Sequence, residues 1–257
     1  MSRFTSLLIG FAIFLTCTPA SGHFQALIPS RDIVTAKTGR TIDLDIRFTH
    51  PMEWGPVMEM KKPSRFGVIA NGRTTDLSQS LTPRQLEGAT AYNSHFAIKE
   101  PADYLFFIDP APYWEPAEQK MIIHYTKVVV DAYGAEDGWD ASTGQPVEIM
   151  PLTRPYGLWT GNIFRGIVTH NGKPVPFAEI EVEYYNKDKK VGIPADPFIT
   201  QVIKADERGV FAYAMPKAGW WAFAALIDGD KPLPGPDGKP VAVELGGLIW
   251  VRVQDMN

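Results

Sequence analysis

The segment 49–60, THPMEWGPVMEM, gathers His50, Met52, Glu53, Met58, Glu59 and Met60 within eleven residues. Imidazole is a good ligand for nickel, cobalt, zinc and copper, and thioether sulfur favours softer ions, copper(I) above all. Three of the eight methionines of the chain lie here, with two prolines and one glycine to shape the loop. Met also fills irregular apolar gaps beneath loops, so packing and metal ligation both stand as readings of this segment. A second unusual donor is His23. If the chain is cut just before it, this one residue offers an imidazole and an α-amine, and the two together can chelate a metal ion. The amine has an ordinary pKa of about 8, so a metal can displace its proton near neutral pH.

The cut is expected from the residues that precede it. Arg3 supplies a positive start, residues 7–15 (LLIGFAIFL) form a short apolar run, and Ala20-Ser21-Gly22 supplies small residues at the cleavage point. This is the pattern of a secretory signal peptide over residues 1–22, and the run is too short to span a bilayer in the mature chain. The only cysteine, Cys17, would leave with the leader, so the mature chain is expected to be free of disulfides and thiolate ligands. The formal net charge of −4 argues against nucleic acid as a partner. The expected location is the periplasm.

His124 is a third candidate ligand. It sits in a run of strand character, 121–130, where a satisfied structural histidine is the competing reading. No phosphate-cradling glycine loop, no G-x-S-x-G elbow, no H-E-x-x-H helix and no cysteine nucleophile occur. No carboxylate pair stands out as an acid/base couple. The expectation is therefore a binding protein and not an enzyme. Tyr113 and Trp114, in a proline-rich stretch, form an aromatic patch that could stack on sugar.

The elements that must position these residues are strands. Ile42, Leu44, Ile46 and Phe48 alternate with Asp43, Asp45 and Arg47, the signature of a strand with one buried face. Strands are also expected at 65–70, ending at the Asn71-Gly72 turn, at 104–108 and at 121–130. Thr82-Pro83 predicts one short helix within 81–88. After the turn at Asn171-Gly172, alternation at Ile180, Val182 and Tyr184, then runs at 200–205, 210–215, 220–227 and 241–253, predict a second module. The fold class is thus all-β with two β-sandwich-like domains. Residues 23–150 form an N-terminal metal-binding domain, 151–160 a linker, and 161–257 a sandwich of immunoglobulin or fibronectin-III type.

Several of these pieces together resemble a known family. They are His23, Phe48-Thr49-His50-Pro51 with Glu53, Asp109-Pro110-Ala111-Pro112-Tyr113-Trp114-Glu115-Pro116, and Ile122-Ile123-His124-Tyr125-Thr126-Lys127. They continue in 151–157 (PLTRPYG), 172–176 (GKPVP) and 214–221 (AMPKAGWW). The chain resembles the DUF4198-type exported proteins, which are associated with nickel or cobalt energy-coupling uptake systems. The resemblance implies a periplasmic protein that captures Ni(II) or Co(II) and supports its uptake by membrane transporter subunits. It carries over His23, His50 and His124 as ligands. Glu53 is a candidate to complete the site, and Met52, Met58 and Met60 join from the thioether argument. Two other functions stand beside it: a copper chaperone or histidine-brace copper redox protein, and a carbohydrate- or surface-binding module.

Overall fold

The computed structural model describes residues 22–256, so the expected signal peptide, save its last residue Gly22, lies outside the described residues. Strands make up the architecture, and the described residues contain no α-helix, only short 3-10 turns at Ser78–Ser80 and Asp196–Phe198. The all-β expectation holds. Three larger sheets and a two-stranded ribbon, Leu233–Pro234 with Pro240–Val241, make up the described residues. One carries Phe24–Pro29, Thr41–Thr49, Ala89–Ala97 and Thr82–Leu86 in that order, with Val57–Met58 on the end of Thr41–Thr49. A four-stranded sheet is formed by Val147–Pro151, Ile163–His170, Lys173–Pro174 and Val210–Ala214. Between them runs a long sheet of eleven strands that passes through both halves of the chain.

The seam of that long sheet is the parallel pairing of Lys120–Ala132 with Val243–Gln254, in register from Met121 opposite Val243 to Val128 opposite Trp250. Successive side chains of a strand point to opposite faces, and here both faces are covered. From Val243–Gln254, Leu248 and Trp250 enter a core shared with Phe24, Ile46, Phe106 and Val128. Ile249, Val251 and Val253 enter a second core with Phe164, Phe211 and Phe223. The neighbouring strand Gly219–Asp228 does the same, sending Ala222 and Ala224 one way and Trp221, Phe223 and Ala225 the other. Two-sided burial explains why 220–227 and 245–251 read as nearly continuous apolar runs. The two sandwiches are consequently fused through a shared middle layer.

Two local findings differ from the pattern reading. Residues 82–86 form a strand and no helix. A tight turn at Glu87-Gly88, both at positive φ, folds this strand back on Ala89–Ala97. Pro83 is accommodated because the strand is an edge of its sheet. The segment 151–160 connects the halves but is docked along its length. Tyr156 is buried and its hydroxyl donates to the Asp103 carboxylate, 2.8 and 3.0 Å from its two oxygens. Leu158–Trp159 then pairs with Val243–Gln254.

A fully buried ion pair ties the long sheet to Val147–Pro151. Lys127 Nζ donates to Glu148 Oε2 over 2.8 Å, and Glu148 also accepts from the Ser142 hydroxyl and the Thr143 N–H. Burial lowers the Lys127 pKa, and the contacts of Glu148 outweigh its own burial and hold it below the ordinary carboxylate value. Removing one partner leaves an uncompensated buried charge, at a cost of about 3–5 kcal/mol. Lys127→Met is therefore expected to lose about that much in urea unfolding, and Lys127→Met with Glu148→Met to recover most of it. Asp103 gives a second test. Burial and the adjacent Asp131 push its carboxyl up to about 7, despite the hydrogen bond from Tyr156. A folded-state pKa above the unfolded one means that its contribution to stability is complete below about pH 4. That contribution is lost as pH rises through 7. Asp103→Asn should flatten the fall in stability between about pH 4 and pH 7, as read by thermal unfolding.

Candidate metal centre

The strand Thr41–Thr49 delivers Phe48 to the core and His50 to the first position beyond the strand. A chain reversal follows, with Trp54 at positive φ and a cis Gly55-Pro56 bond, and Val57–Met58 pairs back onto Phe48 and Thr49. His23 directly precedes the first strand, Phe24–Pro29, whose pairing sets Phe24 opposite Thr49. This register brings His23 beside His50, with ring centroids 4.6 Å apart and the planes inclined by 60°. The two histidines lie 27 residues apart in sequence and meet only because these strands pair.

Each imidazole has a carboxylate near it. His23 Nε2 lies 2.7 Å from Glu115 Oε2, a side chain presented by the short strand Tyr113–Glu115. An acceptor there assigns the ring hydrogen to Nε2 and leaves Nδ1 with the lone pair. Glu115 is itself held by the Ala117 N–H donating to Oε1. His50 Nδ1 is buried, has no hydrogen-bond partner among the described residues, and lies 3.5 Å from Glu53 Oε2. Burial lowers the pKa of both rings: for His23 it outweighs the attraction of Glu115, and for His50 the neighbouring His23 adds to it. Both are thus neutral near pH 7, the form in which imidazole offers a lone pair to a metal.

His124 lies next to this pair and not within it. The Phe48 ring stacks on His23 at 5.7 Å and meets His124 edge-on at 5.8 Å. His124 Nε2 is 3.3 Å from Glu244 Oε1, and its Nδ1 is buried without a hydrogen-bond partner among the described residues. Burial would raise Glu244, but His124 and the ammonium of Lys120 outweigh it and hold this carboxyl down at about 2. The methionines are packed. Met58 and Met60 belong to the main apolar core, Met60 sulfur lies 3.9 Å from the Gln25 amide, and Met52 is buried with its N–H donating to Glu183. Tyr113 and Trp114 help to wall an apolar cavity of about 390 Å³, together with Phe48, Met60, Met121 and His124.

The structure thus brings His23, His50 and Glu115 together, with Glu53 at the margin and His124 paired to Glu244 behind Phe48. Among the described residues, no three histidine, cysteine or acidic side chains already stand as a group that could hold a metal ion. The nitrogen that cleavage before His23 would free is not a side chain and lies outside that count. Glu115 and Glu244 were not singled out by the sequence. Glu115 lies in the matching 109–116 stretch, whereas Glu244 reaches His124 only through the parallel seam.

Gly246 holds the place of His124. It lies opposite His124 in the seam, and a Cβ built on it would sit 2.4 Å from His124 Cδ2 and 2.9 Å from Nε2. Gly246→Ala must displace the imidazole. It is expected to cost about 1–3 kcal/mol in unfolding and to shift the His124 ring resonances in NMR spectra, with the fold retained.

No curated protein sequence matches the chain. Solved structures that it resembles include the D0-D1 domain of intimin (11% identity, 90% of this chain and 100% of that one, TM-score 0.24). Others are the titin immunoglobulin tandem A164-A165 (10%, 91% and 100%, 0.21) and a bacterial ice-binding adhesin (8%, 91% and 65%, 0.25). The model of one family, described as a domain of unknown function (DUF4198), matches residues 20–229. With most of its length matched, the chain belongs to the DUF4198 family.

Proposed function

We propose that the chain is exported, is cut before His23, and captures one divalent transition-metal ion, Ni(II) or Co(II), for a membrane transporter. The observation that carries this reading is the meeting of His23, partly buried, and His50, buried, two neutral imidazoles 4.6 Å apart, with His50 Nδ1 lacking a hydrogen-bond partner among the described residues. An orphaned buried nitrogen costs about 1–3 kcal/mol, which a ligand for its lone pair would relieve. Glu115 on Nε2 of His23 leaves Nδ1 free, and Nδ1 is the ring nitrogen that can close a chelate ring with the α-amine through Cα, Cβ and Cγ. His50 supplies the next nitrogen, and Glu53 or His124 is within the neighbourhood to complete the set. Nitrogen donors without thiolate suit Ni(II) and Co(II). The ion is cargo, and a terminal chelate can be released one arm at a time.

Copper is the second reading, because the affinity order places Cu(II) above nickel at almost any such nitrogen site. Met58 and Met60 are packed in the apolar core, so the nitrogens carry the copper reading here. Metal recovered with the protein from its native compartment decides between the ions.

The test is nickel titration of the chain beginning at His23 beside one that retains Gly22 with its terminal amine acetylated. Binding is expected at one ion per chain, and the blocked extra residue should abolish it. His50→Ala should do the same, and Glu115→Gln should weaken affinity by about 10–100-fold. Equal binding by the free His23 terminus and the acetylated, extended chain would overturn the proposal.

A further inference from the structure

The strand Glu179–Tyr184 alternates between two environments. Ile180 and Val182 enter the second core, while Glu181 and Glu183 point to the opposite face. That face is covered. Glu183 has no exposure, and Glu181 is half-buried. Glu183 Oε2 accepts the Met52 N–H at 3.0 Å and Oε1 accepts the Thr200 hydroxyl at 2.5 Å. Among the described residues neither carboxylate has a Lys, Arg or His ion-pair partner, and Lys120 acts on Glu181 only as its weakest influence. A buried and a half-buried carboxylate side by side without a cation are costly to keep ionised. Burial pushes Glu183 up to about 8 and Glu181 up to about 7.

What lies against this pair is the chain just before His23. Gly22 is buried, and a Cβ built on it would sit 2.8 Å from Glu181 Oε2 and 3.0 Å from Glu183 Oε1. The His23 nitrogen is covalently joined to the Gly22 carbonyl carbon, so it lies within about 3–4 Å of that point. In the uncut chain this nitrogen is an amide and carries no charge. We infer that Glu181 and Glu183 form the receptor for the α-ammonium that cleavage between Gly22 and His23 releases. Hydrolysis adds water across the amide. The hydroxyl goes to the Gly22 carbonyl carbon, which leaves with the leader as a carboxylic acid, and the hydrogen goes to the His23 nitrogen, which then takes a further proton from solvent. The departing Gly22 vacates the space beside the carboxylates, and the new ammonium supplies the missing cation.

The inference rests on the proposed cleavage point, and it deepens the proposed site by naming what orients the terminal amine. In the metal-free protein the amine is docked as an ammonium. When metal binds, the amine gives up one proton, and its remaining N–H groups still face carboxylate acceptors. Processing thereby locks the start of Phe24–Pro29 and aims the His23 chelate in one step.

A two-by-two comparison in excess EDTA tests this apart from metal binding. The chain starting at His23 and the chain retaining Ser21-Gly22 are each prepared with native carboxylates and with Glu181→Gln, Glu183→Gln or both. Retaining Ser21-Gly22 is expected to lower Tm by about 3 °C or more in the native background, and by less than half as much in the glutamine backgrounds. An equal drop in all backgrounds overturns the inference. Glu181→Gln alone keeps the test valid if Glu183→Gln, which disturbs the Met52 and Thr200 contacts, does not fold. Mass spectrometry of the exported chain separates the failures. A start other than His23 removes the docking and the metal chelate together, whereas a start at His23 with no coupling removes the docking alone.

Discussion

The parallel pairing of Lys120–Ala132 with Val243–Gln254 is the constraint on which the rest of the molecule depends. Parallel neighbours cannot be joined by a tight turn, and here more than a hundred residues of chain separate the two strands. Both faces of the pair are covered, and its apolar side chains Leu248 and Trp250 enter one core while Ile249, Val251 and Val253 enter the other. This arrangement sets Gly246 against His124, brings Glu244 to the same ring, and carries Lys127 into full burial against Glu148. The candidate centre is assembled where the first sheet meets this seam. The pairing of Phe24–Pro29 with Thr41–Thr49 then brings the two leading histidines together.

Desolvation governs the chemistry of the centre. In water, two histidines would be partly protonated near neutral pH and would repel one another when close. Burial lowers their pKa values and keeps both as neutral donors. The surrounding carboxylates divide into two kinds. Glu115 and Glu244 are matched to imidazole or ammonium groups, and Glu244 is held at about 2. Glu181 and Glu183 are unmatched and pushed upward. The unmatched pair adjoins the backbone where the terminal amine would arise, so the electrostatic gap and the expected cleavage point coincide. A chain without disulfides in the described residues can hold such desolvated groups only through close packing around them.

Much of the fold was legible because its signals are local. Ile42, Leu44, Ile46 and Phe48 alternate as a half-buried strand must, and Asn71-Gly72 and Asn171-Gly172 take up the positive φ values that tight hairpins demand. Residues 82–86 misled because Thr82-Pro83 is a good helix start taken alone, while the Glu87-Gly88 turn and pairing with Ala89–Ala97 outweigh that propensity. Of the centre, His23 and His50 were legible as unusual donors, and their convergence is a property of strand register. Glu244 was not legible, since its relation to His124 spans 120 residues and depends on the seam. The methionines of 49–60 show the limit of composition: thioethers clustered in sequence are distributed by the fold into packing positions. Glu183 shows the same limit in reverse, because alternation with Ile180 and Val182 marks it as surface while a second layer buries it.

The central claim is a nitrogen-rich site built on His23 and His50. The most direct measurement is X-ray absorption at the nickel edge on the nickel-loaded chain beginning at His23. The account predicts a first shell of nitrogen and oxygen donors with the outer-shell scattering of two imidazole rings, and that signature reduced to one ring in His50→Ala. A sulfur donor in the first shell, or a shell without imidazole, would contradict it.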